Sequence, residues 1–151
     1  MDKNTKKWLC FAGLASGIVG GYLLWVNRRI FTVNDVTTGE SLDYPELLSR
    51  VYYGDSATIL QAAQTAVKRM PRWRVVHSDP ESETVEAEVE TLIGRFLDDV
   101  TIYVINLGGN QCRVTVRSRS RQGRGDFGQN SVHIRELQEA MDLALTRNAA
   151  I

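Results

Sequence analysis

The chain has 151 residues, 43% hydrophobic and 24% charged, with 18 basic and 18 acidic side chains. These proportions lie near globular averages and exclude a disordered chain, and two cysteines, Cys10 and Cys112, exclude a disulfide scaffold. Beyond Phe31 there are 13 Lys and Arg against 17 Asp and Glu, a net of −4, which argues against a general nucleic-acid binder, because that class needs a basic surface.

Residues 8–26 read WLCFAGLASGIVGGYLLWV and carry no charge. A helix rising ~1.5 Å per residue would carry them across roughly 30 Å, the thickness of a bilayer's hydrocarbon core. Trp8 lies at one end and Tyr22 and Trp25 at the other, with Lys3, Lys6, Lys7 and then Arg28, Arg29 outside them. Interfacial aromatics bracketed by charge are what a membrane span carries at its ends. The expectation is a tail at 1–7, a single transmembrane helix at 8–26 and a folded domain outside the bilayer. The rival is a cleaved signal peptide, with small residues at Ala15, Ser16 and Gly17. The apolar run, however, continues well past them. Gly13, Gly17 and Gly21 recur every fourth residue, so a homodimer through that helix face is a further expectation. Three lysines before the run and two arginines after it tilt the orientation toward a cytoplasmic N-terminus.

Residues 27–50 are rich in Thr, Ser and Asp, contain Gly39 and Pro45, and show no sustained period, so they read as a linker. The soluble domain is expected at 51–147. Asp55 and Ser56 offer cap oxygens to a helix with Leu60, Ala63, Val67 and Met70 on one face, stopped by Pro71. Trp73, Val75 and His77 alternate with polar or opposite-facing neighbours in a first strand ending near Ser78, Asp79 and Pro80. Val85, Ala87 and Val89 against Glu86, Glu88 and Glu90 give a second. Residues 99–107 and 111–120 form a third and a fourth, joined by Gly108, Gly109 and Asn110, which accept the positive φ of a tight hairpin. Asn130 or Ser131 is placed to cap a last helix bearing Ile134, Leu137, Met141, Ala144 and Leu145 on one face. The predicted fold is α+β, a two-layer sandwich of a four-stranded antiparallel sheet and two helices.

The densest polar signal is residues 116–130, VRSRSRQGRGDFGQN. Arg113, Arg117, Arg119 and Arg121 share a strand face by even spacing, and a row of guanidinium groups needs anions. Glu86, Glu88, Glu90, Asp98 and Asp99 on neighbouring elements would supply them as structural ion pairs. The functional reading is an anion site, in which Gly123, Gly125 and Gly128 bring backbone amides close to a phosphate or carboxylate held by Arg117 and Arg121. A third reading groups Asp98, Asp99 and Asp126 as a hydrolase-like or cation-binding centre. Adjacent strand residues point to opposite faces, which counts against it. His77 and His133 have no metal-ligand spacing and read as ordinary partly buried side chains. No nucleophile elbow, phosphate-binding glycine loop or dinucleotide fingerprint occurs.

Phe96, Asp98, Asp99 and Val100, followed by Val116, Arg117, Ser118, Ser120, Arg121, Gly123, Asp126, Gly128, Asn130 and Ile134, resemble the pattern of the DUF1499 family. The resemblance spans roughly residues 44–144, and residues 34–38 look like the approach segment of many bacterial members. It implies a bacterial protein, often membrane-attached, with no established activity. The polar set carried over is Asp98, Asp99, Arg117, Ser118, Arg121, Asp126 and Asn130. The chain departs from the pattern at Arg119, Ser131, His133 and Arg135, and lacks the cysteine-containing segment that many members have ahead of the domain.

The sequence reading is therefore a membrane-anchored, non-enzymatic binding or scaffold domain of a bacterial inner membrane, single-pass and facing the periplasm. Its ligand-binding residues are expected to be Arg117, Ser118, Arg121, Gly123, Asp126, Gly128 and Asn130, taking a small anion or a protein partner. Asp98 and Asp99 are expected in structural ion pairs, with no metal, cofactor or nucleic acid.

Overall fold

The computed structural model of the chain describes residues 17, 20–23, 25, 28–92 and 94–148. The elements in chain order are α1 (Arg29–Thr32), β1 (Asp35–Thr37), β2 (Arg50–Tyr53), α2 (Ser56–Arg69), β3 (Trp73–Asp79), β4 (Thr84–Glu90), β5 (Leu97–Gly108), β6 (Gln111–Ser120) and α3 (Gln129–Asn148). The sheet is antiparallel, in the order β1-β6-β5-β4-β3, and β2 pairs with the same edge of β6 as β1. Both helices lie on one face, α2 over β3 to β5 and α3 over β6 and β1, in contact with each other.

The α+β class and the antiparallel sheet agree with the sequence reading, but the sheet has six strands and not four. The extra two come from the stretch read as a linker. Asp35 pairs with Arg119 and Thr37 with Arg117, while Arg50 pairs with Val114 and Tyr53 with Gln111. Between these strands Tyr44 and Leu47 enter the core, and Val36 is fully buried. Gln138 donates to the Leu48 carbonyl (2.8 Å), and Tyr52 donates to Asp142 (2.8 Å), so α3 grips the segment from the other side. The domain therefore begins well before residue 51. Local signals did not reveal these strands because they are three and four residues long and exist only through pairing with a strand far along the chain.

Elsewhere local chemistry sets the elements. Asp55 accepts from the Thr58 amide at 2.7 Å and caps α2, which ends ahead of Pro71 and buries Ile59, Leu60, Ala63 and Val67. Val85, Ala87 and Val89 meet Val100, Ile102 and Val104, and Cys112, Val114 and Val116, under Ile134, Leu137 and Met141. The β5–β6 turn has φ of 80°, 61° and 61° at Gly108, Gly109 and Asn110, the left-handed values that a tight hairpin requires. In β3 the register shifts between Val75 and His77. His77 is therefore exposed and does not continue the face of Trp73 and Val75, as strict alternation predicted. The cap of α3 also differs: Asp126 accepts from the amides of Gly128 (2.8 Å) and Asn130 (2.7 Å), a role the sequence had given to Asn130 or Ser131.

Among the described residues no helix is long and apolar enough to cross a membrane. The tail at 1–7, most of the run at 8–26 and Gly13 of the glycine face lie outside the described residues.

Candidate functional site

In the register of β5 and β6, Asp98 faces Ser120, Asp99 faces Arg119 and Val100 faces Ser118. Side chains alternate along a strand, so even-numbered residues of both strands turn toward the helices and odd-numbered ones toward the outer face. Burial follows this rule: Asp98, Ser118 and Ser120 are buried, whereas Asp99, Arg117 and Arg119 are not. The residues expected to form one ligand site are thus divided between two sides of the sheet.

On the outer side, Arg117 grips Asp35 through Nε (2.9 Å) and Nη2, which holds the Asp35 carboxyl below its usual range. Arg121 donates to Asp99 at 2.6 to 3.1 Å and also reaches Glu88, which Arg74 holds from the other side at 2.7 Å. The Glu88 carboxyl is held down by Arg121 first and Arg74 second. The two arginines of the expected anion site are therefore engaged with carboxylates, and neither is turned toward the glycine loop. Asp99 is ion-paired with Arg121. Asp98 is not: no arginine reaches it among the described residues.

On the inner side, the first turn of α3 lowers Asn130 onto the end of β6. Its Oδ1 accepts from Ser118 Oγ (2.6 Å), and its Nδ2 donates to the Asn34 carbonyl (2.9 Å) and Ser120 Oγ (3.3 Å). Asp126 caps the helix, and its own amide donates to the Val33 carbonyl (3.0 Å). Asn34 in turn donates to the Gly123 carbonyl (2.9 Å). Ser118, Asp126 and Asn130 thus form a buried knot joining β6, the 121–128 loop, α3 and the segment ahead of β1. The Gly128 amide is spent on Asp126 and does not face a ligand. Gly125 is required by close approach, since a Cβ there would sit 2.2 Å from the Phe31 carbonyl carbon.

Beside this knot, at the end of the sheet away from the β5–β6 hairpin, lies a cavity of about 690 Å³. Leu92, Phe96 and Phe127 line it and are 74%, 48% and 71% exposed, so they form its rim. Asp98, Ser120 and Asp126 line it and are buried, so they form its floor. Among the described residues no arginine or lysine lines it.

Asp98 is 1% exposed, and its Oδ2 lies 3.5 Å from His133 Nδ1. Neither atom has a hydrogen-bond partner among the described residues. A charged pair in so dry a place would close to about 2.8 Å. At 3.5 Å the groups are neighbours and not a formed ion pair. Burial raises the Asp98 pKa, opposed by a hydrogen bond with Ser120 and aided by the charges of Asp126 and Asp99. Burial also lowers His133 to about 4, with the Arg72 charge acting in the same direction. Trp73 meets the imidazole edge-on, ring centroids 5.7 Å apart. The expected cluster of Asp98, Asp99 and Asp126 does not converge, because Asp99 lies across the sheet. Among the described residues no group of three or more His, Cys, Asp or Glu side chains is placed to hold a metal ion.

The sequence reading missed the cavity's rim and His133. Phe127, set between glycines in a polar loop, was the available signal for the rim; a lone histidine on an amphipathic helix gave none.

A family model described as "Protein of unknown function (DUF1499)" matches residues 27–141. The chain belongs to the DUF1499 family. The match begins before β1, consistent with 27–50 being part of the folded unit of this DUF1499 chain. Comparison with curated proteins gave no match. Two solved structures are similar in part. The first is the crystal structure of the di-domain ARO/CYC BexL from the BE-7585A biosynthetic pathway, at 10% identity and a TM-score of 0.45, over 76% of this chain and 44% of that one. The second is the crystal structure of TTHA0849 from Thermus thermophilus, at 10% identity and a TM-score of 0.41, over 76% of this chain and 98% of that one. The chain thus spans less than half the length of the di-domain protein.

Proposed function

We propose that this DUF1499 chain is a membrane-tethered, non-enzymatic binding domain whose ligand is an apolar or amphiphilic small molecule held in the cavity beside the 121–128 loop. The observation that carries the reading is the cavity itself: about 690 Å³, with Leu92, Phe96 and Phe127 exposed around its mouth and buried polar groups at its floor. That volume lies within the ~300–1,000 Å³ of small-molecule sites, which pair apolar walls with a few placed polar groups. Large exposed apolar side chains clustered at one place mark a binding surface.

The charge at the floor selects the ligand class. Asp98 and Asp126 line the cavity and Arg117 and Arg121 do not, which favours a neutral or hydrogen-bond-donating head group over the anion expected from sequence. The tether is the run at 8–26, whose length and lack of charge fit a bilayer. Periplasmic orientation and bacterial inner-membrane location remain part of the same proposal. A hydrolase-like role for Asp98, Asp99 and Asp126 has no support from their placement.

The test is photolabelling of the full chain in vesicles with a long-chain alcohol bearing a diazirine. Labelled peptides should map to residues 91–98 and 120–129. Gln122 lines the cavity and is exposed, so Gln122→Trp fills the mouth without touching the polar knot and should abolish that labelling. Equal labelling of wild type and Gln122→Trp would refute the assignment.

A further inference from the structure

We infer that the rim of the cavity, Leu92, Phe96 and Phe127 together with Phe31, rests on the lipid bilayer, so that the mouth opens onto membrane and not onto bulk water. This rests on the tethered reading above, in which residues 8–26 lie in that bilayer.

Chain continuity ties the rim to the proposed span. Trp25 is six positions before Phe31, about 9 Å if the chain is helical and at most about 20 Å if extended. The Arg28 amide donates to the Trp25 carbonyl (3.3 Å) and the Phe31 amide to the Arg28 carbonyl (3.0 Å), the tight winding that favours the shorter figure. From there the chain is fixed to the cavity. The Phe31 ring meets Phe127 edge-on with centroids 5.7 Å apart, Gly125 abuts the Phe31 backbone, and Asn34 donates to the Gly123 carbonyl. A bilayer holding Trp25 at its interface would therefore lie within about two helix turns of the rim.

The rim has the chemistry for that contact. Phe31, Leu92, Phe96 and Phe127 are all exposed and apolar, and such side chains bury themselves at the boundary between headgroups and acyl chains. Arg28 and Arg124 flank them in sequence and are exposed, which suits anionic headgroups, whereas Arg95 is exposed but already paired with Glu90. The other end of the sheet supplies a control. Tyr53 is 77% exposed and pairs with Gln111 at the start of β6, whereas Ser120 ends that strand at the cavity. That spacing corresponds to roughly 30 Å along the strand.

The experiment uses the full chain carrying Cys10→Ala, with either Phe127→Cys or Tyr53→Cys labelled with a bimane fluorophore, in vesicles of phosphatidylethanolamine and phosphatidylglycerol. Nitroxide-bearing lipid is the quencher. The label at 127 should be quenched several-fold more than the label at 53, and Leu92→Asp with Phe96→Asp should erase the difference. Equal quenching at the two positions overturns the docking, as does a chain that fails to float with the vesicles. Photolabelling of the cavity that persists while position 127 stays unquenched would sink the docking and leave the binding function standing. Quenching at 127 without cavity labelling would do the reverse.

Discussion

The His133 site gives the sharpest prediction. The imidazole is 4% exposed, faces Trp73 and lies next to Asp98. Burial is the main reason its pKa falls from 6.5 to about 4. Below about pH 6.5 an unfolded chain takes up a proton that the folded chain refuses, so stability is complete above that pH and falls as the pH drops toward about 4. Each pH unit is worth about 1.4 kcal/mol, so the full window corresponds to about 3 kcal/mol. Asp98 acts in the opposite sense. Its raised pKa means that the folded state holds the proton longer, so its contribution falls as pH rises from 3.8 through the folded value. The two are separable by substitution. Urea unfolding of the full chain carrying Trp8→Phe and Trp25→Phe in detergent micelles, followed by Trp73 fluorescence at about pH 4 and about pH 7, should show a loss on acidification to which His133 contributes about 3 kcal/mol. His133→Phe keeps the aromatic contact with Trp73 and should remove most of that loss, while Asp98→Asn should deepen it, because the opposing contribution of the Asp98 carboxyl is gone. An acid loss equal in wild type and His133→Phe would refute the reasoning.

Two other outcomes follow from the packing. Asn130→Ala removes the partner of Ser118 Oγ and of the Asn34 carbonyl in a fully buried place, which should cost about 3 kcal/mol at ~1–3 kcal/mol for each stranded group. A thermal-melt midpoint unchanged from wild type would contradict this. A chain starting at residue 51, the boundary read from sequence, loses β1 and the buried Val36, Tyr44 and Leu47. At roughly 1.5–3 kcal/mol for each buried side chain, that loss approaches the total stability of a small domain. Near-UV circular dichroism should show it unfolded, whereas a chain starting at residue 28 should give a native spectrum.

What could be read from sequence was whatever local chemistry determines. The Asp55 cap and Pro71 stop of α2, the alternation of Val85, Ala87 and Val89, the Gly108–Asn110 turn and the apolar face of α3 all lie within a few residues of their cause. The strands β1 and β2 do not. Asp35 is a strand residue because Arg119 lies beside it, and no pattern within residues 27–50 records that. The candidate site failed for a different reason. Period-2 alternation separates Asp98 from Asp99, yet Ser118 joins Arg117 in the expected site through the family pattern, which carries no information about strand faces. Adjacency on a strand is what sends them to opposite faces.

That division gives the family's polar set two structural roles. Arg117, Arg121 and Asp99 organise the outer face through ion pairs with Asp35 and Glu88 as well as with one another. Ser118, Asp126 and Asn130 tie α3 and the glycine loop to the segment that follows α1. Asp98 is the member that neither arrangement satisfies: it lines the cavity floor, and its Oδ2, 3.5 Å from His133 Nδ1, has no hydrogen-bond partner among the described residues. A buried carboxyl with incomplete hydrogen bonding costs stability, so a ligand donating a hydrogen bond to the Asp98 carboxyl from the cavity would recover part of that cost on binding. Ligand binding should therefore weaken on Asp98→Ala while the fold holds, the opposite of what Asn130→Ala should do. The proposed tether bears on the same wall, because residues 33 and 34 bond directly to the loop and helix that line the cavity. If residues 8–26 are the proposed tether, a flexible linker would leave cavity and membrane free to reorient, whereas a chain stitched to the wall at Val33 and Asn34 would fix which way the mouth points.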